Sequence, residues 1–167
     1  MEAVNFLAEL KKEKRIIDFS VRKEICLRPF TEIMLDENGL IYTCCPEFVK
    51  YFYIGNILEN SFEDIWFGEK AAAFRKKILN GGYSMCDLEL CSPKYRVYSA
   101  GLEAGYPKRI TLAYDTECNL RCITCRDKKR NTPNREEISR KMLPFLKQAD
   151  EITISGAGEA FYSAHSR

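Results

Sequence analysis

Along TEIMLDENGLIYTCC, residues 31–45, apolar side chains recur at every second position. Ile33 and Leu35 precede Asn38-Gly39, and Leu40 and Tyr42 follow it, which predicts a β-hairpin turning at that dipeptide. The period changes in NSFEDIWFGEKAAAFRKKILNGG, residues 60–82. Ser61 with Asp64 makes a capping pair, Lys76 and Lys77 suit a helix end, and Gly81 suits the position after it. Gly68 is expected to split this stretch into a short and a longer helix. A loop, YSMCDLELC, follows at 83–91. Further on, RITLAY (109–114) and EITISG (151–156) read as strands. Between them Thr132-Pro133 is expected to open a helix as N-cap and first residue, with Ile138, Met142, Phe145 and Leu146 at helical spacing and Pro144 bending its end.

Strand, helix, strand predicts parallel pairing with a right-handed crossover. Both carboxyl ends then lie on one rim, about 4.8 Å apart between strands. The loop after the first strand and the Gly156-Ala157-Gly158-Glu159 turn after the second become neighbours there. Upstream, SAGLEAGYPKR (99–109) reads as a crossing between two parts, with a boundary near Ala104. The segments so defined are 1–104 and 105–167. The first, an α+β cysteine-rich module, holds the hairpin and helices; the second is a βαβ start of an α/β fold.

Composition changes this picture little. The 167 residues are 46% hydrophobic, and the net charge is +2, so neither disorder nor a nucleic-acid surface is indicated. MEAVNFLAELKKEKR reads as an amphipathic helix with KKEKR (11–15) on its polar face, not as a signal peptide. No apolar run approaches the roughly 20 residues that span a bilayer. The expected compartment is the cytoplasm, with no membrane partner.

The eight cysteines change it more. Cys26, Cys44, Cys45, Cys86 and Cys91 form one group, and Cys118, Cys122 and Cys125 a second at spacing Cys-x3-Cys-x2-Cys. In a reducing compartment such clusters serve metals more often than disulfides. A [4Fe–4S] cluster held by three thiolates keeps one iron open. A structural zinc site would instead be closed by a fourth ligand, for which His165, the single histidine, is the candidate. The basic run Arg126, Lys128, Lys129 and Arg130 fits a solvated loop better than an anion site.

Cys118-x3-Cys122-x2-Cys125 after a first strand, with Ser155-Gly156-Ala157-Gly158-Glu159 after a second, resembles the radical S-adenosylmethionine (SAM) superfamily over roughly residues 107–167. The resemblance implies a partial TIM barrel and a [4Fe–4S] cluster on Cys118, Cys122 and Cys125. It further implies that the open iron chelates SAM, and that cluster reduction cleaves SAM to a 5′-deoxyadenosyl radical that abstracts hydrogen from a substrate. Gly156, Ala157, Gly158 and Glu159 would contact SAM. The residue before the third cysteine is commonly aromatic in that family and packs near adenine; here it is Thr124. The implied electron source is a reductant such as ferredoxin or flavodoxin. No side chain is assigned a catalytic role, and the substrate is not legible.

Cys26-x12-Gly39-x4-Cys44, IGNILENSFEDIW and Cys86-x4-Cys91 are similar to SPASM and twitch domains, which hold auxiliary [4Fe–4S] clusters. Five cysteines compete for four places. Successive side chains at a strand end point to opposite faces, so Cys44 and Cys45 should not share one cluster. Cys26, Cys44, Cys86 and Cys91 are the expected ligands, with Cys45 spare. Two other classes stay open: an iron–sulfur electron carrier, and a zinc-stabilised interaction module. A radical SAM barrel normally has six βα units, so this chain is expected to be a truncated, poorly active portion of a longer enzyme.

Overall fold

The computed structural model of the protein describes residues 24–91, 96–98, 105–123, 125, 132–155, 158–163 and 165. The expected first helix, the boundary at Ala104, Thr124, the basic run at 126–130, and Gly156 and Ala157 lie outside the described residues.

The expected hairpin forms from β2 (Glu32–Asp36) and β3 (Leu40–Tyr42), antiparallel with Met34 opposite Tyr42 and Leu35 opposite Ile41. Its connection has three residues rather than the two expected of Asn-Gly. Only Gly39 takes the left-handed conformation, at φ +80°, and Asn38 does not. Asp36 accounts for the difference: its Oδ1 accepts from the amides of Asn38 and Leu40, each at 2.9 Å, and fixes the longer turn.

Before the hairpin lie β1 (Glu24–Cys26) and the single-turn helix α1 (Arg28–Thr31). A 3₁₀ turn (Pro46–Val49) and the two-residue β4 (Gly55–Asn56) follow it. The helical stretch divides at Gly68 into α2 (Phe62–Trp66) and α3 (Glu69–Leu79). Ser61 caps α2, its hydroxyl oxygen accepting from the Asp64 amide at 3.1 Å. After β5 (Arg96–Tyr98) come β6 (Arg109–Ala113), α4 (Arg135–Leu146) and β7 (Glu151–Ile154).

Thr132 is not the N-cap of α4. The helix begins at Arg135, and the buried Thr132 hydroxyl donates to the Tyr114 carbonyl at 2.7 Å. A tertiary acceptor therefore takes the hydroxyl that would have capped the helix locally.

β1 pairs with β5, and the other strands form one mixed sheet in the order β4-β3-β2-β6-β7. β6 and β7 are parallel as expected. β2 also runs parallel to β6, from Glu32 opposite Arg109 to Asp36 opposite Ala113. The hairpin and the βαβ unit thus share a sheet that runs across the segment boundary expected near Ala104. They share a core as well: Leu35, Ile41, Phe62, Trp66, Ile110 and Met142 pack in one buried cluster. Burying each such side chain is worth about 1.5–3 kcal/mol. A second apolar cluster holds Tyr42, Val49, Phe74 and Ile78. Successive residues of β3, Ile41 and Tyr42, enter different clusters, as strand alternation requires. β7 is the sheet's edge among the described strands, with Ile152 and Ile154 exposed.

Arg75 on α3 joins these parts from inside. Its Nε donates to the Pro29 carbonyl at 2.8 Å and its Nη1 to the Trp66 carbonyl at 2.7 Å, while its guanidinium lies 4.0 Å from the Trp66 ring centroid. Burial lowers its pKa to about 10, still charged near neutral pH. Trp66 is buried and packs the core; its Nε1 donates to the Gly105 carbonyl at 2.9 Å. We expect Arg75→Ala to leave two buried carbonyls without donors and to cost about 3 kcal/mol in urea unfolding. A cost below about 1 kcal/mol would contradict this role.

Candidate functional site

The amino-proximal thiols meet around the second apolar cluster. Cys44 is buried in it, and Cys26, Cys45 and Cys86 are packed against its surface. Hydrogen bonds place the loop that carries Cys86 and Cys91. The Asp87 amide donates to the Phe48 carbonyl at 2.9 Å, and Asp87 Oδ1 accepts from the Glu89 and Leu90 amides at 3.0 and 3.1 Å. The Cys26 amide donates to the Tyr83 hydroxyl at 3.3 Å, fixing the end of β1 against the same loop.

Burial pushes the Cys26 thiol up to about 11; the neighbouring Cys44 and Cys91 thiols add to the effect, and Arg28 opposes it. Cys44 is likewise raised by burial, opposed by a hydrogen bond from Arg28 Nη1 to its Sγ at 3.3 Å. Cys45 turns elsewhere: its thiol donates to Glu47 Oε2 at 2.7 Å, and burial followed by that carboxylate raises it to about 11. Cys26, Cys44, Cys45 and Cys86 thus lie in or against one apolar cluster, Cys91 is near enough to Cys26 to act on its thiol, and the Cys45 thiol is hydrogen-bonded to Glu47.

The second group leaves the carboxyl end of β6. Cys118 is half-buried, whereas Cys122 and Cys125 are exposed on a turn closed by the Cys125 amide donating to the Cys122 carbonyl at 2.9 Å. The expected meeting of this loop with the turn after β7 is present. The Glu159 amide donates to the Glu117 carbonyl at 2.7 Å, one residue before Cys118. A Cβ on Gly158 would lie 2.5 Å from the Asp115 carbonyl oxygen and 2.8 Å from that of Glu117, so only glycine fits this approach. Glu117 also pairs with Arg135 at the start of α4.

Beside this contact opens a cavity of about 370 Å³ lined by Tyr114, Asp115, Ser139, Ser155, Gly158 and Glu159, among others. The three cysteines stand outside that lining. Leu120, Ile123 and Phe161 leave apolar side chains exposed on the same segments. His165, the candidate closer of the alternative zinc site, is engaged elsewhere: Nε2 is 3.1 Å from the Tyr114 hydroxyl and Nδ1 is 3.3 Å from Glu136 Oε1. Among the described residues, no three His, Cys, Asp or Glu side chains stand in a metal-holding arrangement.

Residues 26–99 match the family model of SPASM, an iron–sulfur cluster-binding domain. The match covers the hairpin, the split helix and all five amino-proximal cysteines, and it supports iron–sulfur binding by this segment. SPASM domains occur in radical SAM enzymes. No curated protein and no solved structure matches the chain. Among the described residues, no helix is long and apolar enough to cross a membrane.

Sequence reasoning missed Arg28, Glu117 and Arg135. Glu117 adjoins Cys118, but its backbone and carboxylate partners lie on β7's turn and on α4, which no local pattern announces.

Two outcomes follow from this geometry. In metal-free protein at pH 8, iodoacetamide should label the exposed Cys122 and Cys125 well before Cys26 and Cys45, whose raised pKa values leave little thiolate; peptide mass mapping reads the order. Faster labelling of Cys26 would contradict the environment described. Gly158→Ala should cost about 1–3 kcal/mol and release the Glu159 amide to faster hydrogen exchange. Unchanged protection would show that the turn does not depend on glycine.

Proposed function

We propose that this chain combines an auxiliary iron–sulfur module with a βαβ segment of radical SAM type. In the first, Cys26, Cys44, Cys86 and Cys91 hold a [4Fe–4S] cluster. In the second, Cys118, Cys122 and Cys125 hold another, and Gly156–Glu159 engages SAM. The donor chemistry fits: thiols are soft ligands suited to iron–sulfur clusters, and a cationic cluster core offsets the burial that otherwise disfavours thiolates at Cys26 and Cys44. When bound, the second cluster supplies the electron for reductive cleavage of SAM. The electron donor is a cytoplasmic reductant such as ferredoxin or flavodoxin.

The single observation that carries the SAM reading is the Glu159–Glu117 hydrogen bond, which fixes the turn after β7 to the strand end that bears the cysteine loop. This chain's own residues then do three things. Gly158 permits the close approach, the Glu117–Arg135 pair braces the loop against α4, and the adjacent cavity gives a small polar cosubstrate a walled place to bind.

Anaerobic reconstitution with iron and sulfide tests the reading. The protein should carry about eight iron atoms per chain, and replacing Cys118, Cys122 and Cys125 by Ala should halve that number and abolish SAM binding in equilibrium dialysis. Cys44→Ser should lose most of the remaining iron, and Cys45→Ser should lose almost none. Stoichiometric zinc in anaerobic preparations would overturn the iron assignment. Iron-loaded protein without SAM binding would favour an electron carrier.

A further inference from the structure

The amino-proximal thiols have a cation built against them. Arg28 opens α1 two residues after Cys26, and its Nη1 donates to Cys44 Sγ at 3.3 Å. The side chain is 18% exposed and is held from several directions. Its Nε lies 3.5 Å from Glu32 Oε2, and its guanidinium carbon lies 5.9 Å from the Phe48 ring centroid. Glu32 in turn pairs with Arg109 across the β2–β6 junction. The next residue, Pro29, is anchored by Arg75 through its carbonyl.

The chain Cys44–Arg28–Glu32–Arg109 contains two cations and one carboxylate. Glu32 is shared between the two cations and fixes Arg28; its own charge opposes that of Arg28 at the Cys44 sulfur, where the hydrogen bond and charge of Arg28 have the larger effect. Low exposure strengthens that charge-assisted contact, because little water screens it.

We infer that Arg28 is a positioning residue that sets the reduction potential of the site formed by Cys26, Cys44, Cys86 and Cys91, through the hydrogen bond and the charge that it brings to the Cys44 sulfur. The inference rests on the iron–sulfur reading of that site. On reduction, one electron enters from an external reductant and negative charge on the ligand sulfurs increases; no bond is made or broken and no proton is required. A donor aimed at sulfur is held more tightly after the electron arrives than before it. Arg28 therefore favours the reduced state and raises the potential, as hydrogen bonds to cluster sulfurs do.

The test uses the full chain with Cys118, Cys122 and Cys125 replaced by Ala, so that only the amino-proximal site reports. The protein is reconstituted anaerobically, its iron is counted, and it is titrated with dithionite through redox mediators while the paramagnetic signal is followed. Arg28→Gln should keep about four iron atoms per chain. At the parent's midpoint its ratio of reduced to oxidised protein should fall about tenfold, equivalent to about 59 mV for one electron. Arg28→Lys keeps the charge but not the planar fork, and should shift in the same direction by less. Unchanged potentials in the iron-loaded variants would overturn the inference. Loss of iron in both variants would also overturn it, by giving Arg28 a structural role in holding the site together. A parent that binds no iron would instead overturn the iron–sulfur reading.

Discussion

The parallel pairing of β2 with β6 is the contact on which the remaining arrangement depends. Its register, Ile33 opposite Ile110 and Leu35 opposite Leu112, places buried side chains of two distant segments in one apolar layer. Without that layer, the hairpin would be a short ribbon with one unpaired long edge, and an isolated hairpin is marginal in water. With it, α2 from one segment and α4 from the other cover the same core, where Phe62 stacks on Phe145 at 4.2 Å between ring centroids. Cys44, just past β3, and the loop of Cys118, Cys122 and Cys125, after β6, are thereby attached to one sheet, whereas Cys26 ends β1 in the two-stranded sheet.

The two groups sit in different solvents. Cys26, Cys44, Cys45 and Cys86 lie in or against the cluster of Tyr42, Val49, Phe74 and Ile78, and Arg28 supplies a donor at Cys44. The second group rises from a strand end into open surroundings, next to a cavity and exposed apolar side chains. A site against an apolar cluster favours a group that exchanges only electrons, because little has to enter. An open loop at the carboxyl rim of parallel strands favours a group that must admit a small molecule. This contrast is independent of the cysteine spacing, and it agrees with the division of labour proposed for the two groups.

Much of the local structure was legible because few residues decide it. Gly68 ended one helix and began another, Ser61 capped the first, and the alternation of Ile33, Leu35, Leu40 and Tyr42 marked the hairpin. Cys44 and Cys45 lie beyond the end of β3 at Tyr42, so strand alternation does not govern them: both contact the second apolar cluster, and the Cys45 thiol also donates to Glu47. Where local rules failed, a tertiary or neighbouring acceptor had intervened. Asp36 lengthened the Asn-Gly turn, and the Tyr114 carbonyl drew Thr132 away from its cap.

By itself, then, the sequence determined the elements with short-range causes: period, capping, turn chemistry, and the strand-helix-strand order that brings β6 and β7 to one rim. Tertiary structure alone decided that β2 joins β6, that Arg28 reaches Cys44, and that His165 binds Tyr114 and Glu136 instead of closing a cysteine site. The reason is physical. Hydrogen bonds and side-chain periods within an element are specified by neighbours a few positions away. Pairing between segments separated by more than 70 residues follows from which apolar faces can be buried together, and that is a property of the whole packed chain.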